Sequence, residues 1–235
     1  MRLTRPVLLR DSREVIRVSR AFQILTLVVW IAAVLLTGLA MGDGVFQVDL
    51  ALTRTVQRIR PDGIITIVTF MNWLGSTPAA VTMSVLMSLG LALMGRTQPA
   101  LLVISTLLVR VFTPILKILA ASPRPSSSLV RVSEYPGGYG FPSGHVLGTT
   151  LLFGMLFVIA PLLTRSIVAR RLTRSMSLVV VLAVAFSRVY VGAHWPSDVA
   201  GGLLWGGGLV MLVVWIHAAT MSGSNTIAAS LHRLR

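Results

Sequence analysis

The chain has 235 residues, 54% of them hydrophobic and only 12% charged, and its mean hydropathy is +0.83. Soluble domains carry about 25% charged residues, so this composition belongs to a membrane protein. The formal net charge of +14 does not point to a nucleic-acid partner, because the arginines fall in short segments between apolar runs, and the absence of cysteine excludes disulfides and thiolate metal sites.

Residues 1–21 form a basic N-terminus with Arg2, Arg5, Arg10, Arg13, Arg17 and Arg20. The first apolar run, 22–42, exceeds the signal-peptide core of about 7–15 residues and reads as a retained span. Residues 48–60 place Val48, Leu52, Val56 and Ile59 on one helical face, with Arg54 and Arg58 away from it. That pattern fits either a helix on the membrane surface or a packed loop helix. Residues 64–74 read as a short interfacial or re-entrant helix, broken from the next run by "NWLGSTP". A spanning helix needs about 20 mostly apolar residues. Further spans are expected near 77–95, 98–119, 144–164, 175–193 and 197–219. Treating 64–94 as one tilted span leaves the topology unchanged. The expectation is an all-α polytopic bundle of six transmembrane helices over 22–219, with a cytoplasmic tail at 220–235.

Arginine sets the sidedness. With six spans, the N-terminus, Arg96, the group Arg165, Arg170, Arg171 and Arg174, and the terminal Arg233 and Arg235 share one side. The residues of the motifs below and Arg110 aside, only Arg54, Arg58, Arg60 and Arg131 oppose them. The arginine-rich side is cytoplasmic, in the plasma or inner membrane.

Three segments are left on the outer face. Lys117 to Pro125 leaves the third span. "YGFPSGHVLG" enters the fourth, and "FSRVYVGAHWPSDVAGG" joins the fifth to the sixth. Each residue has an ordinary reading by itself. Lys117 can snorkel to headgroups, Ser143 can cap a helix, and a lone histidine can serve as a hydrogen-bonder. Asp198 can complement a helix dipole. Their convergence on one membrane face favours a functional site, because charge at bilayer depth is costly.

The chemistry they suggest is phosphoryl transfer. Lys117, Arg124 and Arg188 supply cations for phosphate oxygens. The helix beginning near Ser143 supplies N–H groups, and Gly144 lets its backbone approach an anion. His194 with Asp198 four residues on suits a nucleophile oriented by a carboxylate. His145 is then free to protonate a leaving oxygen. No acidic cluster suits Mg²⁺, and two histidines make a poor zinc site, so neither metal nor cofactor is expected.

Lys117-x6-Arg124-Pro125, Pro142-Ser143-Gly144-His145 and Ser187-Arg188-x5-His194-x3-Asp198 together resemble the three-part signature of the type-2 phosphatidic acid phosphatase superfamily. That group includes bacterial lipid phosphatases and, more distantly, glucose-6-phosphatase and vanadium haloperoxidases. The resemblance implies that His194 attacks phosphorus and becomes a phosphohistidine, Asp198 orients it, and His145 is the general acid. It implies that Lys117, Arg124, Ser143, Gly144 and Arg188 hold the phosphate. The expected substrate is a lipid phosphomonoester or diphosphate, with a polyprenyl (undecaprenyl) diphosphate favoured over phosphatidylglycerophosphate and phosphatidic acid. A non-catalytic lipid-phosphate binder or transporter is the rival from another class. Arg110, within the third span, either extends the anion path or hydrogen-bonds to backbone inside the bundle; the structural role is favoured.

Overall fold

The computed structural model describes residues 18–42 and 45–232, the side chains of 221–232 aside. The N-terminal arginines through Arg17, and Arg233 and Arg235, lie outside these residues. Among the described residues the chain is helical, without a strand. The helices are α1 (Arg20–Ala40), α2 (Gln47–Val56), α3 (Ile64–Gly75), α4 (Thr77–Leu93), α5 (Thr97–Val109), α6 (Phe112–Ala120), α7 (Gly144–Leu163), α8 (Ile167–Tyr190) and α9 (Pro196–His232).

Several boundaries follow from capping chemistry. Ser19, Ser76 and Ser166 each accept a backbone N–H in the first turn of α1, α4 and α8. Ser76 is followed by Thr77 and Pro78, so the cap and an early proline start a new helix there. Consequently α3 and α4 form one apolar unit bent by 62°. Among the described residues five helical units are long and apolar enough to cross a membrane, and the bent pair makes six. The third unit is itself divided, into α5 and α6 around Arg110 and Val111.

Two expected spans have different limits. The fifth begins at Ile167 rather than 175. Arg170, Arg171 and Arg174 dilute its hydropathy but are good helix formers. Arg170 and Arg174 donate to the carbonyls of Thr164 and Phe157, which fixes that first part against the end of α7. The helix expected to end at 219 continues as backbone helix to His232.

The core is centred on α7. Its Leu147, Leu151, Leu152, Met155 and Ile159 are buried with Leu102 and Val103 of α5 and Leu209, Val210 and Val214 of α9. Small residues on α9 permit the close approach. A Cβ on Gly202 would meet Ser143 O at 2.9 Å, and one on Gly206 would meet Thr150 Cβ at 2.7 Å. Ile24, Leu35, Leu86, Ile118 and their neighbours instead face outward, as lipid-facing residues do.

Helix α2 combines the two readings of its sequence. Its polar face packs inward. Asp49 accepts from Ser197 N (2.8 Å) and Ser197 Oγ (2.6 Å) at the start of α9. Gln57 donates to Arg131 O and Tyr190 O and accepts from Arg131 N. Val48, Leu52 and Ile59 point outward, while Val56 leaves that expected apolar face and packs on α8. The arginines that oppose the charge asymmetry are brought together. Arg54, Arg58, Arg60 and Arg131 line a cleft of about 770 Å³ with Gln57 and the 127–130 segment.

Candidate active site

Three backbone links assemble the site. Ser143 N donates to Asp198 O (2.9 Å), tying the start of α7 to the start of α9. His194 N donates to Arg188 O (3.3 Å), and Gly140 N to Ser122 O (2.8 Å). The end of α6, the start of α7, the end of α8 and the start of α9 are thereby brought to one place. Gly140 is confined by this: a Cβ there would lie 2.8 Å from Asp198 Oδ2.

His194 is 2% exposed and lies between two partners. Its Nδ1 is 3.3 Å from Asp198 Oδ2, and its Nε2 is 3.2 Å from Arg124 Nη1. A guanidinium can only donate, so Nε2 must carry the lone pair. Nδ1 then holds the proton and donates it to Asp198. Burial, and then the positive charges of Arg124, Arg188 and Lys117, hold the imidazole well below its usual pKa. His194 is therefore neutral, with a fixed tautomer and Nε2 turned toward the cations. Asp198 is fully buried and is itself fixed by Trp195 N, which donates to Oδ2 at 3.0 Å.

The three cations are bound mainly to the loop between α6 and α7. Lys117 Nζ donates to Tyr139 O (2.8 Å) and Gly140 O (3.3 Å). Arg124 folds back to donate to Gly137 O, Gly138 O and Ala193 O. Arg188, 1% exposed, donates from Nη1 to Glu134 Oε2 at 2.9 Å. Glu134 also accepts from Asn72 Nδ2 on α3.

Ser143 precedes α7 but its side chain does not cap it. Ser143 Oγ and Arg188 Nε are both buried without a hydrogen-bond partner. Buried polar groups are normally paired, so these two donors, with the likewise unpaired Asp198 Oδ1, are open to a ligand. Gly144 leaves room beside them: a Cβ there would stand 3.7 Å from Thr113 Cγ2 and 3.9 Å from Lys117 Cε. His145 is half-buried and lies beside the α3–α4 break, its Cδ2 3.4 Å from a Cβ built on Gly75. Thus Lys117, Arg124, Ser143, Gly144, His145, Arg188, His194 and Asp198 gather at one end of the helical bundle.

Several neighbours were not singled out in the sequence. Glu134 and Asn72 hold Arg188, and Asp49 holds the turn before Asp198. Glu134 is the only acidic residue between Lys117 and Arg188, a signal open to inspection. Asn72 and Thr77 gave none. Arg110 does not bond to backbone as its favoured reading had it. It donates to Thr77 Oγ1 (2.7 Å) across the break in α3–α4.

Among the described residues, no three His, Asp or Glu side chains form a metal-sized group. The arrangement offers a neutral imidazole with an unprotonated Nε2, three cations, free donors at a helix N-terminus and a second imidazole. Those are the parts that displacement at phosphorus requires.

Comparison with known proteins agrees. The chain is 31% identical over 110 residues to lipid phosphate phosphatase delta of Arabidopsis thaliana, covering 43% of this chain and 26% of that protein. It is 30% identical over 120 residues to an undecaprenyl-diphosphatase of Sulfolobus acidocaldarius, covering 50% of this chain and 54% of the relative. It therefore spans about half, or less, of the length of these curated relatives. The crystal structure of a PAP2-type phosphatidylglycerolphosphate phosphatase from Bacillus subtilis superposes with a TM-score of 0.69 at 22% identity, over 80% of this chain and 93% of that one. The family profile described as the PAP2 superfamily matches residues 98–222, more than half of the chain and all three motif segments, so the chain belongs to the PAP2 superfamily.

Proposed function

We propose that the chain is a multi-pass membrane phosphatase that cleaves a lipid phosphomonoester or diphosphate through a phosphohistidine at His194. The observation that carries this is the position of His194 Nε2. It is unprotonated, held in its tautomer by Asp198, and 3.2 Å from Arg124 at the edge of a cationic cluster. In the first step Nε2 bonds to phosphorus and the bond from phosphorus to the leaving oxygen breaks. The electron pair goes to that oxygen, and His145 supplies its proton. Lys117, Arg124, Arg188, Ser143 Oγ and the N–H groups at Gly144 and His145 hold the equatorial oxygens. In the second step water bonds to phosphorus, the P–N bond breaks, and His145 recovers a proton from the water. Because cations and backbone donors meet the phosphate charge, the mechanism uses no metal.

The substrate is a lipid whose tail stays in the bilayer, since the site stands at the ends of apolar spans. A polyprenyl (undecaprenyl) diphosphate is the favoured substrate; phosphatidylglycerophosphate and phosphatidic acid are the alternatives. The undecaprenyl-diphosphatase among the relatives supports this order. The arginine asymmetry supports cytoplasmic N- and C-termini and a site on the outer face of the plasma or inner membrane.

The test is phosphate release by purified protein from these lipids in detergent micelles. Release that is abolished in His194→Ala is the expected result. Tight lipid binding without release would instead favour a lipid-phosphate binder or transporter.

A further inference from the structure

Arg110 is an unusual residue for its position. It lies within the span Thr97–Ala120, where a charge is costly without a partner. Among the described residues no carboxylate lies in salt-bridge range of it. Its hydrogen bond is to the hydroxyl of Thr77, a neutral group. The guanidinium fills the space over Gly148 so closely that a Cβ on Gly148 would fall inside it.

These contacts fix where Arg110 stands relative to the proposed phosphate cradle. Arg110 stands at the junction of α5 and α6 and Lys117 on α6, roughly 10 Å further along the divided span, and contacts at Gly148 and Gly144 place both against α7. Gly148 is one turn into α7 from Gly144. Arg110 therefore lies on the bilayer side of the cradle. Between the two cations stands Thr113, whose buried Oγ1 has no hydrogen-bond partner. Gly144 adjoins Thr113, and Gly75, two residues before Thr77, adjoins the His145 ring. A cation, a free hydroxyl and the hydroxyl that holds the cation thus stand beside the start of α7, where the proposed general acid sits.

We infer that Arg110, Thr77 and Thr113 form a second anion subsite, which binds a phosphate standing between the transferred phosphoryl group and the lipid tail. This rests on the phosphatase reading above and narrows its substrate class. The ligand carries two phosphates in series. They are linked directly in a diphosphate, or through glycerol in a phosphatidylglycerophosphate. A lipid with one phosphate presents an ester oxygen and carbon at this level and leaves the guanidinium without an anion.

The experiment uses the full chain in detergent micelles and two matched pairs of lipids. One pair is farnesyl diphosphate and farnesyl monophosphate; the other is phosphatidylglycerophosphate and phosphatidic acid. Arg110→Gln is expected to lower kcat/KM for a two-phosphate lipid at least tenfold more than for its one-phosphate partner. The pair with the larger change identifies the linkage. Arg110→Lys should recover part of the ratio, and Thr113→Val should shift it the same way by a smaller factor. If Arg110→Gln does not accumulate in the membrane, these two variants carry the test. Equal changes for both members of each pair, or none, overturn the subsite while leaving the phosphatase intact. Wild-type protein that releases phosphate from none of the four lipids overturns the phosphatase reading itself, and the subsite with it.

Discussion

Arg188 Nη1 lies 2.9 Å from Glu134 Oε2, so the most deeply buried guanidinium of the site is paired with a carboxylate from the loop that covers it. Its Nε remains without a partner. Glu134 thus holds the guanidinium on one edge and leaves the other for an anion. The carboxylate also repels that anion. Replacing Glu134 by Gln keeps an oxygen for Arg188 and removes the charge. Inorganic phosphate should then inhibit more strongly, with its inhibition constant lowered about tenfold, which corresponds to about 1.4 kcal/mol. A raised constant would mean that the negative charge is needed to orient Arg188.

Acid tolerance should distinguish His194 from an ordinary histidine. Burial, and then its positive neighbours, depress its pKa, so the free enzyme keeps a neutral nucleophile as pH falls through 6.5. Phosphoenzyme formation should persist at about pH 5.5, where an unperturbed imidazole is mostly protonated. Arg124 supplies the largest of the charge effects. Removing it in Arg124→Gln should raise the pKa and move the acid limb of kcat/KM toward pH 6.5, whatever its effect on the maximum. A limb that stays in place or moves to lower pH contradicts this electrostatic account.

The proposed cradle also predicts indifference to chelation. Activity should survive EDTA, and vanadate should inhibit, since it can become five-coordinate among the same donors. Activity lost to EDTA and restored by Mg²⁺ would remove the basis for assigning the phosphate charge to Lys117, Arg124 and Arg188.

Sidedness can be read from single cysteines in this cysteine-free chain. Ser127 lies in the loop between α6 and α7, and Ser166 in the turn between α7 and α8, at opposite ends of α7. In intact cells an impermeant thiol reagent should label a cysteine at Ser127 and spare one at Ser166. The reverse pattern would turn the site toward the cytoplasm.

The sequence exposed different parts of this molecule unequally. His194 and Asp198, or Ser143 and His145, are close in the chain, so their spacing alone implies a shared purpose. The pairing of Arg188 with Glu134 spans 54 residues, and that of Arg110 with Thr77 spans 33. Such contacts depend on how helices pack, which hydropathy does not encode. The same limit applies to α8, whose arginine-rich first turns are helical but not apolar. It applies again to α2, where the apolar pattern found the outward face while Asp49 and Gln57 did the anchoring. The break at Ser76 was visible, because a serine cap and a following proline act locally.

The central claim is that His194 is the nucleophile and His145 the acid. Rapid quench with ³²P-labelled lipid phosphate should trap label on the protein that is stable to alkali and labile to acid. His194→Ala should abolish that label. His145→Ala should retain it but form it slowly, most of all when the leaving group is an alkoxide and less when it is p-nitrophenolate, which needs no proton. Label that persists in His194→Ala and vanishes in His145→Ala would exchange the two roles and contradict the account built on Arg124, His194 and Asp198.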